Sequence, residues 1–182
     1  MKKPVYLGCD TAGNYLKLKC IEYLEGQEIP YVDCGSTDDP DIEATRYPFF
    51  AARVAAAVAE GKASCGVLIC GTGIGISIMA NKFKGIRAAL CADHYDAKMT
   101  RSHNDANILC MGGRTTGEWV AVDILETFLN TEYDGGFHDG SLELIREAEE
   151  FMMNGRIWSE EPRKISTGPL KDSEIFDRKK KK

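Results

Sequence analysis

The sequence has no CxxC pair, no Gly-Lys-Ser/Thr phosphate loop, no excess of positive charge and no long apolar run. Each absence excludes something. The seven cysteines (Cys9, Cys20, Cys34, Cys65, Cys70, Cys91 and Cys110) are odd in number and unpaired in spacing. That pattern fits a reducing, cytoplasmic setting and no disulfide framework. Without paired Cys/His spacings no zinc site is expected, and no other metal or cofactor is called for. A formal net charge of −5 lacks the basic footprint of a nucleic-acid binder. No stretch reaches the roughly 20 apolar residues that span a bilayer, and the opening MKKPVYLGCD enters a short strand-like run without a signal peptide's apolar region. There is no internal repeat. The 182 residues, 43% hydrophobic and 28% charged, suit one globular domain with a sizeable core.

What is present centres on Gly66–Asn81, GVLICGTGIGISIMAN. Val67, Leu68 and Ile69 read as a strand buried on both faces. Cys70 stands at its carboxyl end. Gly71, Thr72, Gly73, Ile74 and Gly75 make a glycine-rich turn, and Ile76, Ile78, Met79 and Ala80 continue as a buried helix. Such a strand–turn–helix aims backbone N–H groups at one point. The spacing G-x-G-x-G fails the dinucleotide fingerprint G-x-G-x-x-G. The turn therefore suits a phosphate or an oxyanion formed during a reaction. A thiolate at Cys70 would be stabilised there and could act as nucleophile or base.

The rest of the chain alternates strand and helix. Strands are expected at Val5–Cys9, Ile29–Asp33, Ile86–Cys91 and Asn107–Met111. Helices are expected from Tyr15 to about Glu25, Tyr47 to about Glu60, Asp93 (as cap) to Arg101, Thr116 to Asn130 and Gly140 to Met153. This alternation predicts an α/β fold: a single domain over residues 1–153, with a five-stranded parallel sheet and helices on both faces. Ligands of such sheets sit beyond the carboxyl ends of the strands, which gathers Asp10, Cys70, Asp93 and Arg114. Residues 154–182 read as a C-terminal extension that packs on a partner subunit before a disordered, lysine-rich end. His103 falls in a polar helix-to-strand link, at the opposite end of the sheet, unless it serves a neighbouring subunit. His138 by itself reads as a surface residue.

Three segments carry a resemblance. CDTAG at Cys9–Gly13, GVLICGTGIGISIMANKFKGIRAA at Gly66–Ala89 and RSHNDANILCMGGR at Arg101–Arg114 resemble the ribose-5-phosphate isomerase B / galactose-6-phosphate isomerase family. The resemblance implies a cofactor-free aldose–ketose isomerase with a Rossmann-like three-layer α/β/α domain, in a homodimer or tetramer with sites at the subunit interface. By position it makes Cys70 the base, His103 the ring-opening residue and Thr72 its helper. The backbone of Gly71, Gly73, Ile74 and Gly75 would hold the enediolate. Asp10, Tyr47 and Asn104 match substrate contacts, and Arg114 a phosphate-side arginine.

The departures from that family fall on the phosphate end. Thr11 stands where the family has a histidine, and Phe137 where it has an arginine. Arg114 and His138 remain there. Either phosphate is held differently, by Arg146, Arg156 or Arg163, or the substrate is a free pentose or hexose. The expected function is isomerisation of a sugar phosphate of the ribose 5-phosphate/ribulose 5-phosphate type. A non-catalytic sugar sensor is the rival of another class; it would need no base, so Cys70, Thr72 and His103 together argue against it.

Overall fold

The computed structural model describes residues 3–36 and 46–155. In chain order the elements are β1 (Val5–Cys9), a 3-10 turn (Thr11–Gly13), α1 (Asn14–Gly26), β2 (Tyr31–Asp33), α2 (Tyr47–Ala59), β3 (Cys65–Cys70), α3 (Ile74–Ala80), β4 (Ala88–Leu90), α4 (His94–Asn104), β5 (Ile108–Gly112), α5 (Glu118–Asn130) and α6 (Phe137–Met153). The five strands form one parallel sheet in the order β2-β1-β3-β5-β4. The predicted α/β class and strand count are therefore observed.

Strand periodicity sorts the core into two layers. Side chains alternate along a strand, so Val5, Leu7 and Cys9 of β1, Val67 and Ile69 of β3, and Leu109 and Met111 of β5 share one face. They pack on Leu16, Cys20 and Leu24 of α1 and on Ile124, Leu125 and Phe128 of α5. Leu68, Cys70, Ile108 and Cys110 point the other way, against Ala51, Val54 and Ala55 of α2 and Ile76 and Ala80 of α3. The same alternation thus aims Cys70 toward the α2/α3 layer. At the β2 edge, the buried Lys17 of α1 donates to both carboxylate oxygens of Asp33 at 2.7 Å, a charge-assisted pair that ties helix to strand.

The order of the strands creates a crevice. From β1 the chain goes outward to β2, then returns to place β3 on β1's other side. The loops that leave β1 and β3 therefore run in opposite directions, which opens a gap at their carboxyl ends. Asp10 follows β1, and Cys70 ends β3.

Several elements differ from expectation. α3 is buried on one side, so Ile76 and Ala80 are enclosed while Ile78 is 56% exposed. α4 continues through His103 to Asn104, so His103 lies on a helix rather than in a link. The edge strands β2 and β4 are each three residues long, shorter than their apolar runs, since a neighbour on one side alone sustains less ladder. α5 begins at Glu118, later than expected.

The chain divides into two compact units, Met1–Asp134 and Gly135–Lys182. The second contains α6, which starts at Phe137 behind Gly136 (φ 63°) rather than at Gly140, and pairs Arg146 with Glu143. The expected tail contacts, with Arg156 and Arg163, lie outside the described residues.

Burial separates two otherwise similar leucines. Leu68 is fully enclosed beneath α2, and Leu18 of α1 is 51% exposed. Urea unfolding should show Leu68→Ala losing about 2–5 kcal/mol and Leu18→Ala losing no more than about 0.5 kcal/mol.

Candidate active site

The turn after β3 closes on its own cysteine. Gly73 adopts φ +75°, in the left-handed region, and caps α3. Its N–H donates to Cys70 Sγ at 3.2 Å, and the next N–H, of Ile74, reaches Thr72 Oγ1 at 3.4 Å. A side chain at Gly73 is excluded twice. Its φ disfavours one, and a Cβ would sit 2.4 Å from Leu90 Cδ1 and 2.8 Å from the Met111 backbone. The loop after β5 then locks the turn from the side. Gly113 N–H donates to Cys70 O at 2.8 Å, and Arg114 N–H to Gly71 O at 3.0 Å.

Asp10 stands across the crevice from this turn. Its N–H donates to Ile69 O of the neighbouring strand, and its carboxylate accepts from Gly13 N–H at 3.2 Å. Burial pushes the Asp10 carboxyl above the usual aspartate range; N–H donors of Gly13 and Ala12 and the charge of Arg114 oppose the rise. A cavity of about 410 Å³ opens here, lined by Asp10, Thr11, Ala12, Arg46, Tyr47, Pro48 and Arg114. It adjoins the glycine turn on two sides: a Cβ on Gly71 would lie 3.8 Å from Arg114 Cδ, and one on Gly75 would lie 2.8 Å from the Tyr47 ring. Glycine at 71 and 75 thus keeps this wall thin.

The structure therefore brings together Cys70, Thr72, Gly71–Gly75, Asp10, Thr11, Tyr47 and Arg114. Asp93, placed at the same edge of the sheet, uses its carboxylate to cap α4 by accepting from Asp96 N–H at 2.9 Å. Arg46 lines the cavity and was not singled out from the sequence, because an arginine ahead of a helix carries no local signal that separates it from a solvated one.

His103 and Asn104 lie elsewhere. Their helix runs back from the carboxyl edge, so His103 stands about 14 Å along the axis from His94, at 1.5 Å per residue. Asn107, just beyond it, bonds Gly66 at the opposite end of β3 from Cys70. This helix end is held firmly. Asp105 caps it at φ 44° and accepts from Arg87 Nη2 at 2.8 Å and Arg101 Nη1 at 2.7 Å. Arg87 also donates to Asn104 O, at 2.9 Å. The clamp on Asp105 fixes where His103 and Asn104 are presented, and the sequence alone did not reveal it. His138 belongs to α6, in the second unit.

The remaining cysteines have a different character. All seven are free. Burial pushes the thiols of Cys9, Cys20 and Cys91 up to about 12 and that of Cys65 to about 11. It drives Cys110 well above its ordinary value. Cys9 and Cys91 donate their S–H groups to Asn14 Oδ1 and Ala89 O, whereas the Cys70 sulfur accepts. Among the described residues, no three His, Cys, Asp or Glu side chains converge as a metal site would require, and no helix is long and apolar enough to cross a membrane.

Comparison with known proteins agrees with this geometry. The family model described as Ribose/Galactose Isomerase matches residues 5–145. Ribose-5-phosphate isomerase B of Escherichia coli is 42% identical over 148 residues, spanning 81% of this chain and 97% of that protein. Ribose-5-P isomerase B of Listeria innocua is 39% identical over 146 residues, spanning 80% of this chain and 97% of that one. Among solved structures, ribose-5-phosphate isomerase B of Clostridium thermocellum superposes with a TM-score of 0.77 at 42% identity, over 82% of this chain and 98% of its own. The type B ribose 5-phosphate isomerase of Leishmania infantum does so with a TM-score of 0.77 at 44% identity, over 84% and 100%. With most of its length matched in sequence and in fold, the chain belongs to the ribose/galactose isomerase family.

Proposed function

We propose that the chain is an aldose–ketose isomerase acting on a sugar phosphate of the ribose 5-phosphate/ribulose 5-phosphate type. The observation that carries this reading is the Cys70 sulfur, accepting an N–H at the rim of a glycine turn beside a cavity that holds a carboxylate and two guanidinium groups. The names of the relatives support the substrate class.

The chemistry follows from the positions. The cyclic sugar must first open to its aldehyde, and His103 is the group assigned to that proton transfer, with Thr72 assisting. Cys70 as thiolate then removes the proton on C2 of the aldose. The electron pair left behind moves into the C1 carbonyl and forms an enediolate. Its negative oxygens need donors already in place, and the N–H groups of the Gly71–Gly75 turn supply them. The same sulfur returns its proton to C1, while the O2 proton passes to O1, giving the ketose. Asp10 and Tyr47 are assigned to sugar hydroxyls.

His103 and Asn104 stand at the far end of their own sheet, so their assigned roles require a second copy of the chain. We therefore infer a homodimer in which each site takes Cys70 from one subunit and His103 and Asn104 from the other. Seven free thiols suit a reducing compartment such as the cytoplasm. A second reading, a non-phosphorylated pentose or hexose as substrate, is favoured by Thr11 and Phe137 standing where phosphate partners are expected. Turnover of ribose 5-phosphate beside ribose and allose separates the two: a phosphorylated substrate should be preferred by a wide margin, and equal or better use of a free sugar would reverse the assignment.

Cys70→Ala should lower kcat by about 10²–10⁴-fold, the range of a lost general base, with the inhibition constant of ribitol 5-phosphate largely unchanged; full activity would remove Cys70 from the chemistry. Gly73→Ala should lose most of its kcat, because a Cβ there forces the turn away from both sulfur and enediolate; retention of wild-type kcat would separate the turn from catalysis. Mixing inactive Cys70→Ala and His103→Ala subunits should restore roughly a quarter of wild-type activity, since half the dimers are hybrids with one intact site in two. No recovery after subunit exchange, checked by native mass spectrometry, would mean that the two residues do not meet across subunits.

A further inference from the structure

We infer that Arg46 and Arg114 together grip the phosphate of the substrate, with Arg46 taking over from the partners missing at Thr11 and Phe137. This deepens the proposed sugar-phosphate reading and rests on it.

The placement comes first. Arg46 and Arg114 line the same cavity of about 410 Å³, with Asp10, Thr11 and Tyr47. Arg114 lies over Gly71, and Tyr47, the residue after Arg46, lies against Gly75. A sugar with C1 and C2 at Cys70 therefore extends its remaining carbons from the glycine turn into this cavity, and its terminal phosphate arrives between the two arginines.

The state of the guanidinium groups comes second. The other described arginines are committed. Arg87 and Arg101 are tied to Asp105, Arg146 to Glu143, and Arg53 to the carbonyl of Cys34. Among the described residues, neither Arg46 nor Arg114 forms an ion pair of this kind. Asp10, the carboxylate of the lining, accepts from Gly13 N–H and balances part of the Arg114 charge, which leaves Arg46 without a counter-charge in the lining. The lining thus carries two guanidinium charges against one engaged carboxylate, and that surplus suits an anion.

Local backbone geometry comes third. Arg46 is the N-cap of the 13-residue α2, with φ −77° and ψ 138°, and its side chain makes no cap bond. The side chain is therefore left to project rather than fold back on its own helix. The first-turn N–H groups of α2 and their partial positive charge lie at the same mouth. Two planar guanidinium forks match a phosphate dianion in geometry as well as charge. Helix start and arginine thus act in the same direction.

The test uses ribitol 5-phosphate, which lacks a carbonyl and cannot react, beside ribitol and the substrate ribose 5-phosphate. Arg46→Ala should raise both the KM for ribose 5-phosphate and the inhibition constant of ribitol 5-phosphate by about tenfold or more, as expected for lost hydrogen bonds to charge. Its kcat and its weak affinity for ribitol should stay near wild type, and Arg46→Lys should recover part of the loss. The thermal midpoint should not move, because Arg46 is exposed and its side chain makes no cap bond. If Arg46→Ala binds ribitol 5-phosphate as tightly as wild type does, the grip is overturned while the isomerase reading stands. If wild type binds ribitol 5-phosphate no better than ribitol, the grip is overturned too. If wild type binds ribitol 5-phosphate through Arg46 yet fails to isomerise ribose 5-phosphate, the reaction reading falls and the grip remains.

Discussion

The hydrogen bond from Gly73 N–H to Cys70 Sγ is the constraint around which this edge of the molecule is arranged. To point that N–H back at the sulfur, the chain must reverse within three residues of leaving β3. A left-handed backbone at Gly73 makes the reversal possible. The absence of a side chain there lets Leu90 of β4 and the Met111 backbone of β5 close in behind. The carbonyls of Cys70 and Gly71 then receive Gly113 and Arg114. One turn therefore positions the sulfur, the start of α3 and the loop that delivers a cationic side chain.

Two edges of the sheet carry separate groups of residues. The carboxyl edge holds Cys70, Asp10 and the cavity. The opposite edge presents His103 and Asn104 at the end of α4, where Asp105 in a left-handed conformation is held by Arg87 and Arg101. Strain of this kind persists only where neighbours over-determine it, and two arginines on one carboxylate do so here. A rigid presentation far from the chain's own thiol suits the homodimer proposed above, in which another copy receives these residues.

The inferred phosphate grip would carry one function on different side chains. A phosphate needs concentrated positive charge and donors, and neither has to come from one particular element. The residues after the Gly135–Gly136 break lie on α6, in the second unit, whereas Arg46 stands at the start of a helix packed on the sheet. A guanidinium at the start of α2 stands on a scaffold that shares the core with Cys70.

Much of this was determined by sequence. Alternating apolar strands and helices, with turn residues between them, dictated a parallel three-layer fold, because strands buried on both faces must be covered by helices on both sides. The position of Cys70 before a glycine-rich turn, and of Asp93 as a helix cap, followed from local backbone chemistry that needs no distant partner. Tertiary structure decided the rest. Which face of α3 is buried depends on where α2 lies, so Ile78 is exposed although it is apolar. α4 runs on through His103 because Arg87, 18 residues from Asp105 in sequence, helps hold Asp105 at its end. Arg46 became part of a cavity only when β1 and β3 paired and brought Asp10 beside the turn. Local periodicity reports what each segment prefers; the convergence of Arg46, Tyr47, Asp10 and Arg114 is a property of strand order, which no single segment contains.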